Sequence, residues 1–153
     1  MTSSVANRRV RPADIVCAVR GWIGTPYHAQ ASLRGVGTDC LGLVRGVWRE
    51  VYGSEPELPP AYTSDWTAGG RGETLLDAAR RHFIVRAPAE VCRPGDVIVF
   101  RCRAGRPAHH CGIATDPARF VHAIERHAVR EDVLGVWWRR RITGVFSFPG
   151  VHD

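Results

Sequence analysis

The chain contains no lysine; its 21 basic residues are all arginine, against 15 acidic ones, for a formal charge of +6. Such a surface favours anionic polymers or an acidic partner, but a solvated arginine face explains it without a specific nucleic-acid site. No apolar run approaches the ~20 residues that a bilayer span needs. The stretch Met1 to Arg20 also lacks the continuous apolar segment of a signal peptide. Synthesis and folding in the cytoplasm are therefore expected, with no membrane span. The five cysteines, at positions 17, 40, 92, 102 and 111, are odd in number and include no Cys-x-x-Cys pair, which argues against a disulfide framework. Internal repeats and low-complexity tracts are missing too. With 44% hydrophobic and 24% charged residues in 153, wholesale disorder is excluded and one domain spanning 1–153 is expected.

Residues 1–11 carry three arginines and little apolar content, and read as a loose N-terminal segment. From Pro12 to Trp22, Ile15, Val16, Val19 and Trp22 recur at helical spacing, predicting an amphipathic helix that ends near Gly24. Residues 24–39, with Gly24, Pro26, Gly35 and Gly37, read as an irregular loop. A second helix starts at Cys40, followed by Leu43, Val44, Val47, Trp48 and Val51 on one face, and closes at Gly53. The Pro- and Gly-rich stretch 54–70 reads as a surface insertion, and Glu73 to Phe83 as a third helix. Short β-branched runs follow at Gly95–Arg101, His110–Ala114, Arg119–Ile124, Val129–Val133 and Ile142–Phe148. Helices first and strands second indicate an α+β domain, N-terminal helices on a mostly antiparallel sheet of about five strands.

Cys40 occupies the place in this pattern where a thiol becomes reactive. The partial positive charge of a helix N-terminus, helped by an imidazolium, lowers a thiol pKa toward the nucleophilic thiolate. Asp39 and Thr38 precede it, and either side chain could cap the helix. A nucleophile of this kind needs a base, and the base needs a third group to fix its orientation. His110 opens one predicted strand and His122 lies in the next, a spacing that lets two hairpin-connected strands set their imidazoles side by side. His109, His110, Cys111 and His122 are also zinc-ligand types, but without a paired-ligand spacing no metal is expected. Cys17, Cys92, Cys102 and Cys111 read as structural thiols. Trp137 and Trp138, followed by Arg139, Arg140 and Arg141, read either as a stacking and charge surface for a glycan or nucleic acid, or as a half-buried aromatic pair beside a solvated basic run.

Thr38-Asp39-Cys40-Leu41-Gly42-Leu43-Val44 resembles the Asp-Cys-Ser-Gly-Leu-Val motif of NlpC/P60 cysteine peptidases. His110-Cys111-Gly112-Ile113 and Phe120-Val121-His122-Ala123 resemble that family's His-Val-Gly-Ile and Phe-Ile-His-Ala segments. Arg93-Pro94-Gly95-Asp96-Val97 and Gly24-Thr25-Pro26-Tyr27 resemble two further elements. Leu41 replaces the usual serine, Cys111 a usual valine, and Tyr27 stands one residue further from the cysteine than the family pattern places it.

The resemblance implies a papain-like fold and a triad of Cys40 as nucleophile, His110 as general base and acid, and His122 as the residue orienting His110. The Cys40 backbone N–H and the Tyr27 hydroxyl would form the oxyanion hole, supported by Asp39. It further implies cofactor-free hydrolysis of peptidoglycan stem-peptide amides near D-glutamate and diaminopimelate, through a thioester. The segment Gln30 to Gly37 looks like that of peptidases carried by phage tails and gene transfer agents. That likeness implies incorporation in a phage-like particle beside tail-tip or baseplate proteins. Two alternatives remain open: a tail-assembly adaptor that keeps the fold with little or no activity, and a cytoplasmic amidase.

Overall fold

The computed structural model describes residues 9–62, 72–86 and 92–152. The predicted loose residues 1–8 and the part of the insertion from 63 to 70 lie outside them. Val10 and Arg11 are tied down: Val10 forms a parallel bridge with Val151, and Arg11 precedes the first helix and bonds Asp14.

Helix α1 (Pro12–Arg20) stops at Gly21, so Trp22 falls in the turn after it rather than in its last turn. Trp22 is nonetheless buried, with its indole N–H donated to Glu50 at 3.1 Å. A hairpin of β1 (Ser32–Leu33) and β2 (Gly37–Thr38) leads to α2 (Cys40–Tyr52). Leu43, Val44, Val47 and Trp48 are buried along one face of α2, as the 3.6-residue period requires. Helix α3 (Thr74–His82) precedes β3 (Ile84–Arg86).

The remaining strands are β4 (Val97–Phe100), β5 (His110–Asp116), β6 (Arg119–His122), β7 (Arg130–Val133) and β8 (Ile142–Ser147), with a short helix α4 (Val136–Arg139) before β8. They form one antiparallel sheet in the order β3-β8-β4-β5-β6-β7. The α+β architecture expected from the sequence is therefore present, with six strands in this sheet rather than about five, because β3 extends its edge. Alternation along the strands divides the core between two faces. Val97, Val99, Cys111, Ile113 and Val121 join α1 and α2, whereas Ile98, Phe100, Ala114 and Phe120 gather beneath Trp138. Among the described residues, no helix is long and apolar enough to cross a membrane.

Candidate active site

Cys40 opens α2, where the first backbone N–H groups have no partner within the helix. Asp39 caps the helix: its Oδ1 accepts the Gly42 N–H at 2.7 Å, and its Oδ2 accepts the Gln30 N–H at 2.7 Å and the Tyr62 hydroxyl. Thr38 makes no cap; its hydroxyl donates to the Asp39 carbonyl at 3.0 Å. Burial, then the neighbouring Cys40, raise the Asp39 carboxyl above its ordinary value despite these bonds. Asp39 thus lies buried behind the helix start, with its carboxylate turned to Gly42, Gln30 and Tyr62. Gly42 is required by close approach, because a Cβ there would lie 1.9 Å from the Ala31 carbonyl oxygen.

His110 and His122 come together as the hairpin spacing predicts, along a diagonal. His122 pairs with Gly112 across the β5–β6 ladder, two residues beyond His110. The His110 Nε2 to His122 Nδ1 distance is 2.9 Å, within the reach of diagonal neighbours on a twisted sheet. Gly112 makes room, since a Cβ there would stand 2.8 Å from the Val121 carbonyl oxygen and 3.1 Å from the His122 Cβ. Aromatic rings fix both imidazoles. Phe120 lies 4.1 Å from the His122 ring, Trp138 lies 5.4 Å and 5.1 Å from His110 and His122, and Phe100 lies 5.7 Å from His110. Of the two readings of the tryptophan pair, the structure divides them by residue. Trp138 walls the histidines, whereas exposed Trp137 carries the Arg141 guanidinium 3.7 Å over its ring.

The diagonal continues to a residue the sequence reading missed. Asp132 on β7 stands opposite Phe120, two pairs removed from His122 and on the same face. Its Oδ2 lies 2.6 Å from His122 Nε2 and accepts the Arg130 Nε–H at 2.8 Å. The signal was available once β6 and β7 were read as a hairpin, because Phe120 and His122 share a face with Asp132 and Arg130.

The electrostatics favour a reactive Cys40. A hydrogen bond from Cys111, and then the hydrogen bond and charge of His110, hold the Cys40 thiol well below its ordinary range although burial opposes this. Cys111 shifts the other way, held a thiol by Cys40 and by burial, and it donates to the Cys40 carbonyl at 3.4 Å. The Cys40 thiol itself points to the His109 carbonyl at 3.8 Å. His122, wholly buried, is pushed down to about 4 by desolvation and then by His110, with Asp132 opposing. Desolvation acts to raise Asp132, but the bonds from His122 and Arg130 win and keep it below the usual carboxylate range. At neutral pH the pair is a carboxylate and a neutral imidazole.

Tyr27 lines the same cleft as Cys40, and burial, then Cys40 and Asp39, push its hydroxyl up to about 12, so it remains a donor. The cleft holds about 400 Å³, bordered also by Arg103, Arg106, Glu125 and Trp138. The four potential zinc ligands do not converge, since strand alternation sends Cys111 toward α2 and His110 toward Trp138. Among the described residues no three His, Cys, Asp or Glu side chains gather as a metal site. All five cysteines are free, with Cys17 exposed and Cys92 buried.

Known proteins resemble this chain over most of its length. A gamma-DL-glutamyl hydrolase of Bacillus subtilis (strain 168) is 27% identical over 138 residues, covering 90% of this chain, which spans only 29% of that relative. Among solved structures, the NlpC/p60 domain of the peptidoglycan hydrolase SagA superposes with a TM-score of 0.59 at 23% identity, over 91% of this chain and all of that one. An NlpC/P60 family protein from Bacillus cereus superposes at 0.66 with 16% identity, covering 93% of this chain and 41% of that one. These two share the fold. The family model for NlpC/P60 matches residues 24–147, from before the hairpin to the end of the last strand, and the chain belongs to the NlpC/P60 family.

Proposed function

We propose that the protein is a cysteine hydrolase that cleaves amide bonds in peptidoglycan stem peptides at γ-glutamyl linkages near D-glutamate and diaminopimelate. The observation that carries this reading is the placement of Cys40 at a helix N-terminus against His110, which is itself bonded to His122. The SagA domain and the glutamyl hydrolase relative support the choice of substrate class.

The chemistry follows from the groups present. Cys40 thiolate attacks the scissile carbonyl carbon, and the oxyanion receives the Cys40 N–H and the Tyr27 hydroxyl. His110, carrying the proton taken from the thiol, delivers it to the leaving amine as the C–N bond breaks. A thioester remains on Cys40. Water, deprotonated by His110, attacks it, and the acid is released with the thiolate restored. Donors aimed at the oxyanion matter most, because loss of one such donor costs about 10²–10³-fold in rate.

Digestion of purified Gram-negative sacculi by wild type and Cys40→Ala, with mass spectrometry of the released muropeptides, tests the reading. Cleavage by wild type alone, with new ends at the D-glutamyl linkage, is expected. Equal release by both, or none by folded wild type, would overturn it.

The likeness of Gln30 to Gly37 to tail-borne peptidases supports a further placement in a phage-like particle, beside tail-tip or baseplate proteins, for wall opening during DNA delivery. Recovery of the chain from purified particles is expected, and its absence from them would exclude that location.

A further inference from the structure

We propose that Asp132 is a positioning residue that selects the base-competent tautomer of His110, acting through His122. The assignment rests on Cys40 and His110 being nucleophile and base. A carboxylate can only accept, so Oδ2 at 2.6 Å requires the His122 proton to sit on Nε2. Nδ1 of His122 is then a bare acceptor, and the 2.9 Å contact requires His110 Nε2 to be the donor. His110 Nδ1 is left without a proton and able to take the one on Cys40. Reversing the first link reverses the whole chain: a proton on His122 Nδ1 would make His110 Nε2 the acceptor and put its proton on Nδ1, where no base remains. The negative charge also favours the imidazolium that forms when Cys40 ionises, as the buried aspartate does in serine proteases.

Asp132 is held for this task on the edge strand β7. Arg130, two residues earlier, donates to the same Oδ2 at 2.8 Å. Arg20 on α1 reaches across to Glu131 at 2.9 Å and ties the strand to the helix layer. The charged and titratable groups facing His122 are His110, Asp132 and Arg130; those facing Cys40 are His110, Cys111, Cys102, Asp39, Tyr27 and Tyr62.

The test needs no substrate and is therefore independent of which amide the enzyme cleaves. The protein is treated with iodoacetamide from pH 5 to pH 10, and alkylation of Cys40 is followed by peptide mapping. Asp132→Asn is expected to react about tenfold more slowly than wild type at pH 6, a loss equivalent to one pKa unit. At pH 10, where the thiol ionises without help from the imidazole, the two rates converge. Asp132→Glu, which keeps the charge, recovers the pH 6 rate. A folded Asp132→Asn protein with the wild-type profile, or one depressed equally at every pH, would overturn the proposal. Should Asp132→Asn fail to fold, the ring-nitrogen NMR spectrum of wild type at pH 7 decides: the proposal requires neutral His122 protonated on Nε2, and protonation on Nδ1 contradicts it.

Discussion

At the scale of single residues, the site depends on which proton sits where. Cys111 stands where the family pattern has valine, and its thiol contributes to holding the Cys40 thiol low. Cys111→Val should remove that bond while preserving volume, so Cys40 alkylation at pH 6 is expected to slow several-fold, measured by the same peptide mapping. An unchanged rate would mean that His110 and the helix terminus suffice. His122 gives a second expectation, in stability. Its folded value is about 4 against an ordinary 6.5. Between those pH values the unfolded chain binds a proton that the folded one refuses, so stability falls as pH drops through this window and levels below about pH 4. The full effect is of order 3 kcal/mol. Thermal melts from pH 7 to pH 4 should therefore lose less stability in His122→Asn than in wild type, and parallel curves would contradict the burial of a neutral imidazole.

Elements decide how these residues meet. The Asp39 cap ends the loop and starts α2 at Cys40, so Asp39→Ala should destabilise the protein by about 1–2 kcal/mol in denaturant titration and loosen Cys40. Much of this was legible: the Cys40 helix, its apolar face and the two histidine strands all follow from spacing alone. What was hidden has physical causes. The strand β3 is a three-residue run directly after a helix, too short for a period-2 pattern to register. Trp22 kept helical spacing although α1 had ended, because its turn still aims the ring at the core. Asp132 escaped notice as an ordinary charge on a polar edge strand, whose burial pattern gives no apolar alternation. Its partner is a diagonal neighbour on another strand, and only the β6–β7 register brings the two together. The Gly112→Ala variant tests the diagonal: the intruding Cβ should separate His110 from His122 and reduce hydrolysis at least tenfold, whereas wild-type activity would show the close approach to be dispensable.

For the whole molecule, the antiparallel sheet is a platform with distinct tasks on its two faces. One face seats α1 and α2 and so places Cys40; the other, under Phe100, Phe120 and Trp138, houses the imidazoles. The hydrogen-bonded line from Asp132 to His110 crosses three neighbouring strands and meets Cys40 at the cleft. The fold class was readable from the order of helices and strands, whereas this division between faces needed the register. The central claim is that catalysis passes through a thioester on Cys40, and rapid acid quenching during turnover of a soluble muropeptide, followed by mass mapping, tests it most directly. The account predicts an acyl adduct on the Cys40 peptide, labile to hydroxylamine, with neither adduct nor turnover in Cys40→Ala. Turnover by Cys40→Ala at the wild-type rate, or an adduct mapped to another residue, would contradict it.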